Sequence, residues 1–137
     1  EIAMRRHVDR LIEAGVHGLL ALGTTGEVMH LRPEERHRVA EMVVEQVRGR
    51  VPVFIGCAGT GTEEVIAYAR HAQEIGASAA VVIVPYYWVL SDAAVGAHYA
   101  AIARSASAKA RLIASISSLR ALRAASAAHC PSICTRN

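Results

Sequence analysis

Five consecutive residues, Gly23 to Glu27, combine two glycines, two hydroxyl groups and a carboxylate directly after an apolar run. The threonines offer hydroxyl and backbone N–H donors. The glycines permit backbone angles that other residues resist, and they let a ligand approach closely. Such a turn after a buried strand favours an anion-binding site. The structural alternative is a tight turn whose hydroxyls cap the next helix.

A second candidate segment follows another apolar run, where Val81–Val84 leads into Pro85, Tyr86 and Tyr87. Parallel strands with intervening helices keep their functional sites at the carboxyl ends of the strands. Both candidate segments lie at such an end, so we expect them to share one edge of a sheet.

Four short aliphatic runs predict the strands that position these residues. Their starts are 33, 28 and 33 residues apart, the length of one strand plus one crossover helix. They are apolar on both faces, which is typical of a parallel sheet covered by helices. The runs are Gly18–Leu22, Val51–Ile55, Ala79–Val84 and Leu112–Ile116.

Helix signals fill the segments between these runs. Pro33 opens the first helix, with acidic residues in its first turn. In the second, either Thr60 and Glu63 form a capping box or Thr62 is the cap. Ser91 is the predicted cap of the third.

A further helix is predicted over about residues 2–14. One glycine is predicted to follow the end of this helix, and another to follow the end of the second crossover helix. The pattern amounts to about three and a half strand–helix units, with one strand missing at the front. Because the chain begins with Glu1, we expect the gene product to start upstream. A complete eightfold barrel takes about 250 residues. We therefore predict an α/β fold, a partial (β/α)8 barrel whose N-terminal half occupies residues 1–104.

Residues 105–137 differ in composition from the rest of the chain. They contain five basic and no acidic residues, nine alanines and seven serines, whereas residues 1–104 contain all 12 acidic residues. We predict a divergent tail, irregular or helical, produced by a frameshift or by erosion. It has no aromatic residue and no dense basic cluster, so we expect no nucleic-acid partner.

The composition also bears on location. No apolar run reaches the length of a membrane span, and no secretory signal is visible. Three unevenly spread cysteines do not make a disulfide scaffold. We predict a cytoplasmic protein that does not bind membranes.

Histidines and cysteines are the residues of this chain best suited to bind a transition metal. His30 and His37 flank a turn and a helix face, where we expect them to be solvated. His129, Cys130 and Cys134 would supply only part of a zinc site, because four good ligands are lacking. We therefore predict no metal and no cofactor.

Three strand-end segments, in their order and spacing, resemble the dihydrodipicolinate synthase / N-acetylneuraminate lyase family of Schiff-base-forming, pyruvate-dependent aldolases. The segments are Gly23–Glu27, Arg50–Gly56 and Val81–Tyr87, and the resemblance covers about residues 2–104. It implies a (β/α)8 barrel, usually assembled as a tetramer of two tight dimers. It also implies chemistry at a carbon–carbon bond next to pyruvate or a related 2-oxo acid. A lysine on the sixth strand would form the Schiff base, which acts as an electron sink.

The resemblance assigns roles to four residues. Thr24 and Thr25 match the residues that give hydroxyl and N–H groups to the substrate carboxylate, and Gly26 belongs to the same turn. Thr24 also matches a member of the proton relay, and Tyr87 matches the tyrosine that reaches across the dimer interface into the neighbour's relay. Tyr86 is expected to pack at that interface, and the alternative register exchanges the roles of the two tyrosines. The predicted catalytic residues are thus Thr24 and Tyr87.

The chain departs from the family pattern at its fourth strand and beyond. Ala114 stands where the relay tyrosine is expected, and Ser117 where a proline is expected. The Schiff-base lysine would lie on a strand that this chain does not reach. Lys109, the only lysine, precedes the fourth strand and falls at the wrong edge of the sheet. Cys57 is favoured as a small buried thiol over a nucleophile.

These observations predict a dihydrodipicolinate synthase-like lyase or aldolase whose present chain is an inactive fragment. N-acetylneuraminate lyase and sugar-acid (2-keto-3-deoxy) aldolase remain alternatives, the latter because Trp88 makes its loop more apolar than in many synthases. A non-catalytic assembly or binding fragment is the alternative of another class. A different enzyme that binds phosphate at Gly23–Glu27 also stays open.

Overall fold

Four strands form one parallel sheet, in the order in which they occur along the chain. The computed structural model describes residues 1–105 and 112–114. Each strand overlaps the aliphatic run that predicted it, so the α/β class and the parallel sheet are confirmed. The strands are β1 (Leu19–Ala21), β2 (Val53–Cys57), β3 (Ala79–Val82) and β4 (Leu112–Ala114).

One helix precedes β1 and three others connect the strands. The α-helices are α1 (Ile2–Glu13), α2 (Pro33–Val47), α3 (Thr62–Glu74) and α4 (Asp92–Ser105). Gly15 and Gly76 follow α1 and α3 with φ of +86° and +80°, as the sequence predicted for the residue after a helix end. Two short 3-10 helices, Thr24–Gly26 and Val28–His30, lie between β1 and α2.

Two of the predicted helix starts are confirmed. Pro33 is the first residue of α2. Before α4, the hydroxyl of Ser91 accepts a hydrogen bond from the backbone N–H of Ala94 at 3.3 Å. Both arrangements leave fewer backbone N–H groups unpaired in the first turn.

The capping box predicted for α3 is wrong. The residue before the helix is Gly61, and no side chain caps it. The carboxylate of Glu64, not of Glu63, accepts a hydrogen bond from the backbone N–H of Thr60 at 3.0 Å. Because α3 begins at Thr62, the carboxylate that folds back lies one position later than the sequence pattern indicated.

The two faces of the sheet are packed differently. The face toward the helices is buried, and its residues include Val53, Ile55, Cys57, Val82 and Leu112. On the opposite face Leu20 is 57% exposed, while Phe54 and Val81 are partly exposed. Among the described residues, helices therefore cover one face of the sheet and leave the other open, as the predicted partial barrel requires. This open inner face is the one that a complete barrel fills with its own side chains.

The turn after β1 rests directly on β2. Leu22 adopts a left-handed backbone conformation with φ of +58°, which is uncommon for a residue with a side chain. Its carbonyl oxygen lies so close to Gly56 that a Cβ there would overlap it. Gly56 is therefore required for the turn to sit where it does.

His37, on α2, is partly buried against α3 and is not solvated as expected. Its Nε2 atom is buried without a hydrogen-bond partner among the described residues. Its ring centroid is 4.2 Å from that of His71. Burial, and after it the neighbouring His71, lowers the pKa of His37. His30 is exposed, as expected.

Replacing Gly56 with alanine should destabilise the chain, because the new methyl group has to displace the carbonyl of Leu22. We expect the free energy of unfolding to fall by about 2–3 kcal/mol in urea titrations followed by circular dichroism. Gly26→Ala is the matched control, since a Cβ there meets no atom within 4 Å. Equal losses in the two variants would contradict the close approach.

Candidate functional site

The predicted site residues lie in loops at the carboxyl ends of the strands. Thr24, Thr25 and Gly26 form the 3-10 helix after β1. Tyr87 lies in the loop between β3 and α4. Within the described residues, the ring contact of Tyr87 is with Trp88, and no hydrogen bond joins it to Thr24. The structure thus places the four residues at one edge but brings only three of them together.

The turn formed by Thr24, Thr25 and Gly26 presents unused donors to solvent. The N–H of Gly26 donates to the carbonyl of Gly23, and that of Glu27 donates to the carbonyl of Thr24, each at 3.0 Å. Among residues 1–105 and 112–114, neither threonine N–H donates to a backbone carbonyl. All three residues of the 3-10 helix are exposed. A small anion would find two N–H groups and two hydroxyls on this turn.

The glycines of this turn do not use their conformational freedom. Gly23 is extended, with φ of −82° and ψ of −175°. The left-handed conformations belong instead to Leu22 and to Glu27, at φ of +58° and +54°. Neither glycine is required sterically, because a Cβ at Gly23 would make only an ordinary contact with Leu20 and one at Gly26 would meet no atom within 4 Å.

Residues 86–89, here called the aromatic loop, are strongly exposed. Tyr86 is 48%, Tyr87 70% and Trp88 73% exposed, and Val89 is wholly accessible. The ring centroids of Tyr87 and Trp88 are 4.9 Å apart in an edge-to-face arrangement. A run of large apolar side chains in water favours contact with another surface.

A buried arginine links the loops after β1 and β2. The side chain of Arg36 donates hydrogen bonds to the carbonyls of Leu31 at 3.1 Å and Ala58 at 2.9 Å. Its guanidinium carbon lies 5.3 Å from the centre of the Tyr68 ring, and a nitrogen lies 3.9 Å from the Glu64 carboxylate. Burial of a charge is tolerated because these partners compensate for lost water.

Sequence reasoning did not identify Arg36, although a signal was present. Arg36 precedes Ala40, Val43 and Val47 at helical spacing, and all three are buried. A charged residue on the apolar stripe of a helix has to find partners inside the protein. Which carbonyls those are depends on the tertiary fold.

His98 is a second residue that sequence reasoning did not single out. It is only 3% exposed. Its Nδ1 lies 3.0 Å from the hydroxyl of Thr62, and its Nε2 lies 3.3 Å from the carbonyl oxygen of Ile83. Burial lowers its pKa, which favours the neutral ring.

Cys57 is a buried thiol, as the sequence favoured. It is fully inaccessible, and burial raises its pKa to about 12. A thiol held in that form is a poor nucleophile.

Several other predicted features lie outside the described residues. They include Lys109, Ser117 and the set His129, Cys130 and Cys134. The described residues contain no group of three side chains arranged to hold a metal ion. No helix among them combines the length and apolar character needed to cross a membrane.

Comparison with known proteins identifies the relatives of this chain. The family model of the dihydrodipicolinate synthetase family matches residues 1–120. The 4-hydroxy-tetrahydrodipicolinate synthase of Phenylobacterium zucineum is 50% identical over 95 residues, which are 69% of this chain and 32% of that protein.

Two solved structures share the fold. A dihydrodipicolinate synthase from Aquifex aeolicus superposes with a TM-score of 0.86 at 28% identity, covering 95% of this chain and 46% of its own. The YagE protein of Escherichia coli K12, solved in complex with pyruvate, has a TM-score of 0.76 at 40% identity, with 80% and 36% covered.

The chain spans about a third of the length of the curated relatives that it matches. The partial barrel predicted from strand spacing is confirmed by these likenesses. By the extent of the family match, this chain belongs to the dihydrodipicolinate synthetase family.

Proposed function

We propose that this chain carries the carboxylate-binding half of a lyase or aldolase site that acts on pyruvate or a related 2-oxo acid. The observation that carries the proposal is the exposed turn of Thr24, Thr25 and Gly26 with its unpaired N–H groups. Such donors are strongest toward an ionised acceptor. The related YagE was crystallised with pyruvate, a small 2-oxo acid.

In this proposal the two threonines and Gly26 hold the substrate carboxylate. Thr24 and Tyr87 act as catalytic hydroxyls that pass protons between substrate and water. The exposure of Tyr87 supports a role in the proton relay of a neighbouring copy in a homo-oligomer, because its hydroxyl makes no hydrogen bond within the aromatic loop. Its ring leans on Trp88 rather than on the chain's own turn.

The proposal also concerns the nucleophilic lysine. The Schiff base requires a lysine amine beneath the bound keto group, and Lys109 is the only lysine. We propose that residues 1–104 are the N-terminal half of a barrel and that residues 105–137 are a divergent tail. The chain alone then binds a 2-oxo acid without turning it over.

The substrate is proposed at the level of chemical class. One relative is a 4-hydroxy-tetrahydrodipicolinate synthase. YagE, 49% identical over 86 residues, is a putative 2-dehydro-3-deoxy-D-gluconate aldolase. The exposed turn of Thr24, Thr25 and Gly26 supports binding of a 2-oxo acid carboxylate, and it does not distinguish a synthase substrate from a sugar-acid aldolase substrate.

A second candidate function is self-association without catalysis. Leu20 is 57% exposed on the open inner face of the sheet, and β1 and β4 are the edge strands of the described sheet. Unpaired edges and uncovered apolar faces both promote pairing between chains.

Pyruvate binding tests the carboxylate turn. In titrations followed by amide resonances, pyruvate should shift Thr24, Thr25 and Gly26. Thr25→Val should weaken binding about tenfold, through the lost hydrogen bond to a charged group. Thr60→Val, another exposed threonine, is the matched control. Binding that survives Thr25→Val, or that equimolar phosphate displaces, would contradict the assignment and favour a phosphate site.

Borohydride trapping tests the missing nucleophile. After incubation with pyruvate and reduction, intact mass spectrometry should show no stoichiometric adduct on this chain, because its only lysine, Lys109, precedes β4 in the sequence. The full-length synthase of Phenylobacterium zucineum serves as the positive control. A stoichiometric adduct mapped to Lys109 would overturn the proposal of an inactive chain.

Sedimentation tests the second candidate. The apparent mass should rise with protein concentration, and Leu20→Lys should reduce that rise because a charge on the inner face opposes burial. Val89→Lys is the control for association through the aromatic loop. A compact monomer at all concentrations would refute self-association.

A further inference from the structure

The aromatic loop is held at both of its ends by α4. At the far end, the side chain of Ser91 accepts from the N–H of Ala94, and the Ser91 carbonyl accepts from the N–H of Val95 at 3.0 Å. At the near end, Ile83 is contacted by His98 from the middle of the helix. The exposed residues 86–89 therefore project between two anchored points.

The contacts of His98 define its tautomer. The carbonyl oxygen of Ile83 can only accept, so Nε2 must carry the proton. In the neutral ring Nδ1 is then an acceptor, and the hydroxyl of Thr62 donates to it. Thr62 is the first residue of α3, so one imidazole connects the start of one helix to the end of β3.

A second bond lies beside the first. The hydroxyl of Tyr99 donates to the carbonyl of Val82 at 3.5 Å, and the rings of His98 and Tyr99 meet edge to face at 5.4 Å. These bonds reach consecutive carbonyls, but only that of Ile83 lies beyond the last residue of β3. The direction in which the chain leaves the strand thus depends most on His98.

We propose that His98 is a positioning residue for Tyr87, acting by donating to the carbonyl of Ile83 while Thr62 bonds the opposite nitrogen and holds the ring in place. The role of Tyr87 rests on the proposed function, whereas the control of the loop by His98 does not. If the loop were flexible, the Tyr87 hydroxyl would occupy many positions. A proton relay requires the hydroxyl to be held in a single position.

Two substitutions separate the two bonds of the imidazole. Glutamine places its amide near the position of Nε2 and can still donate to Ile83. Asparagine places its amide near Nδ1 and can still bond Thr62, but it does not reach Ile83. Both remove the ring, so a difference between them reports on the bond to Ile83.

Hydrogen exchange of the peptide covering residues 83–91, read by mass spectrometry, is the main measurement. His98→Asn should accelerate exchange about fivefold relative to the unchanged chain, as expected for one lost hydrogen bond. His98→Gln should stay within about twofold. The anisotropy of Trp88, the chain's single tryptophan, should fall in the asparagine variant alone.

His71→Asn is the matched control, since it removes a partly buried histidine whose partner is Glu41 on α2. It should leave the loop peptide unchanged. Equal effects of His98→Asn and His98→Gln, or no effect of either, would overturn the proposal. If His98→Asn does not fold, Thr62→Val decides: faster exchange of residues 83–91 supports the proposal and unchanged exchange refutes it. These readouts need no pyruvate, so they fail or succeed independently of the proposed function.

Discussion

Parallel strands cannot be joined by tight hairpins, so each of the three connections between β1 and β4 has to return along the whole sheet. The helices that make these returns bury the face carrying Ile55 and Val82. The same geometry brings every strand's carboxyl end to one edge. The turn formed by Thr24, Thr25 and Gly26 and the aromatic loop lie at the same edge of the sheet for this reason, although about sixty residues separate them in sequence.

Buried polar side chains then fix the loops at that edge. Arg36 donates to a carbonyl from each of two loops, and His98 joins the carbonyl of Ile83, just after β3, to the hydroxyl of Thr62 at the start of α3. A carbonyl buried without a partner is costly, so each of these bonds specifies a loop position more sharply than apolar contact does. Gly56 adds a steric condition, because the carbonyl of Leu22 occupies the place of a side chain.

The periodic parts of the fold could be predicted from the sequence. Strand spacing, Pro33 and the glycines after α1 and α3 are local signals, and the structure agrees with them. The misses depend on distant partners. The local sequence around His37 predicts a surface residue, and only the packing of α3 against α2 places His71 beside it. The left-handed conformation of Leu22 could not be inferred either, since nothing local favours it in a leucine. The site residues were indicated by resemblance, and their contacts only by the fold.

Because spatial order equals chain order, every strand pairs only with the strands nearest to it in sequence. Ribosomal synthesis delivers β1, β2 and β3 in the sequence in which they assemble, and each new strand finds its template already present. The open inner face carrying Leu20 would then be exposed to solvent while the successive strands are added to the sheet. While this face is uncovered, its apolar side chains favour association between chains that are still being synthesised.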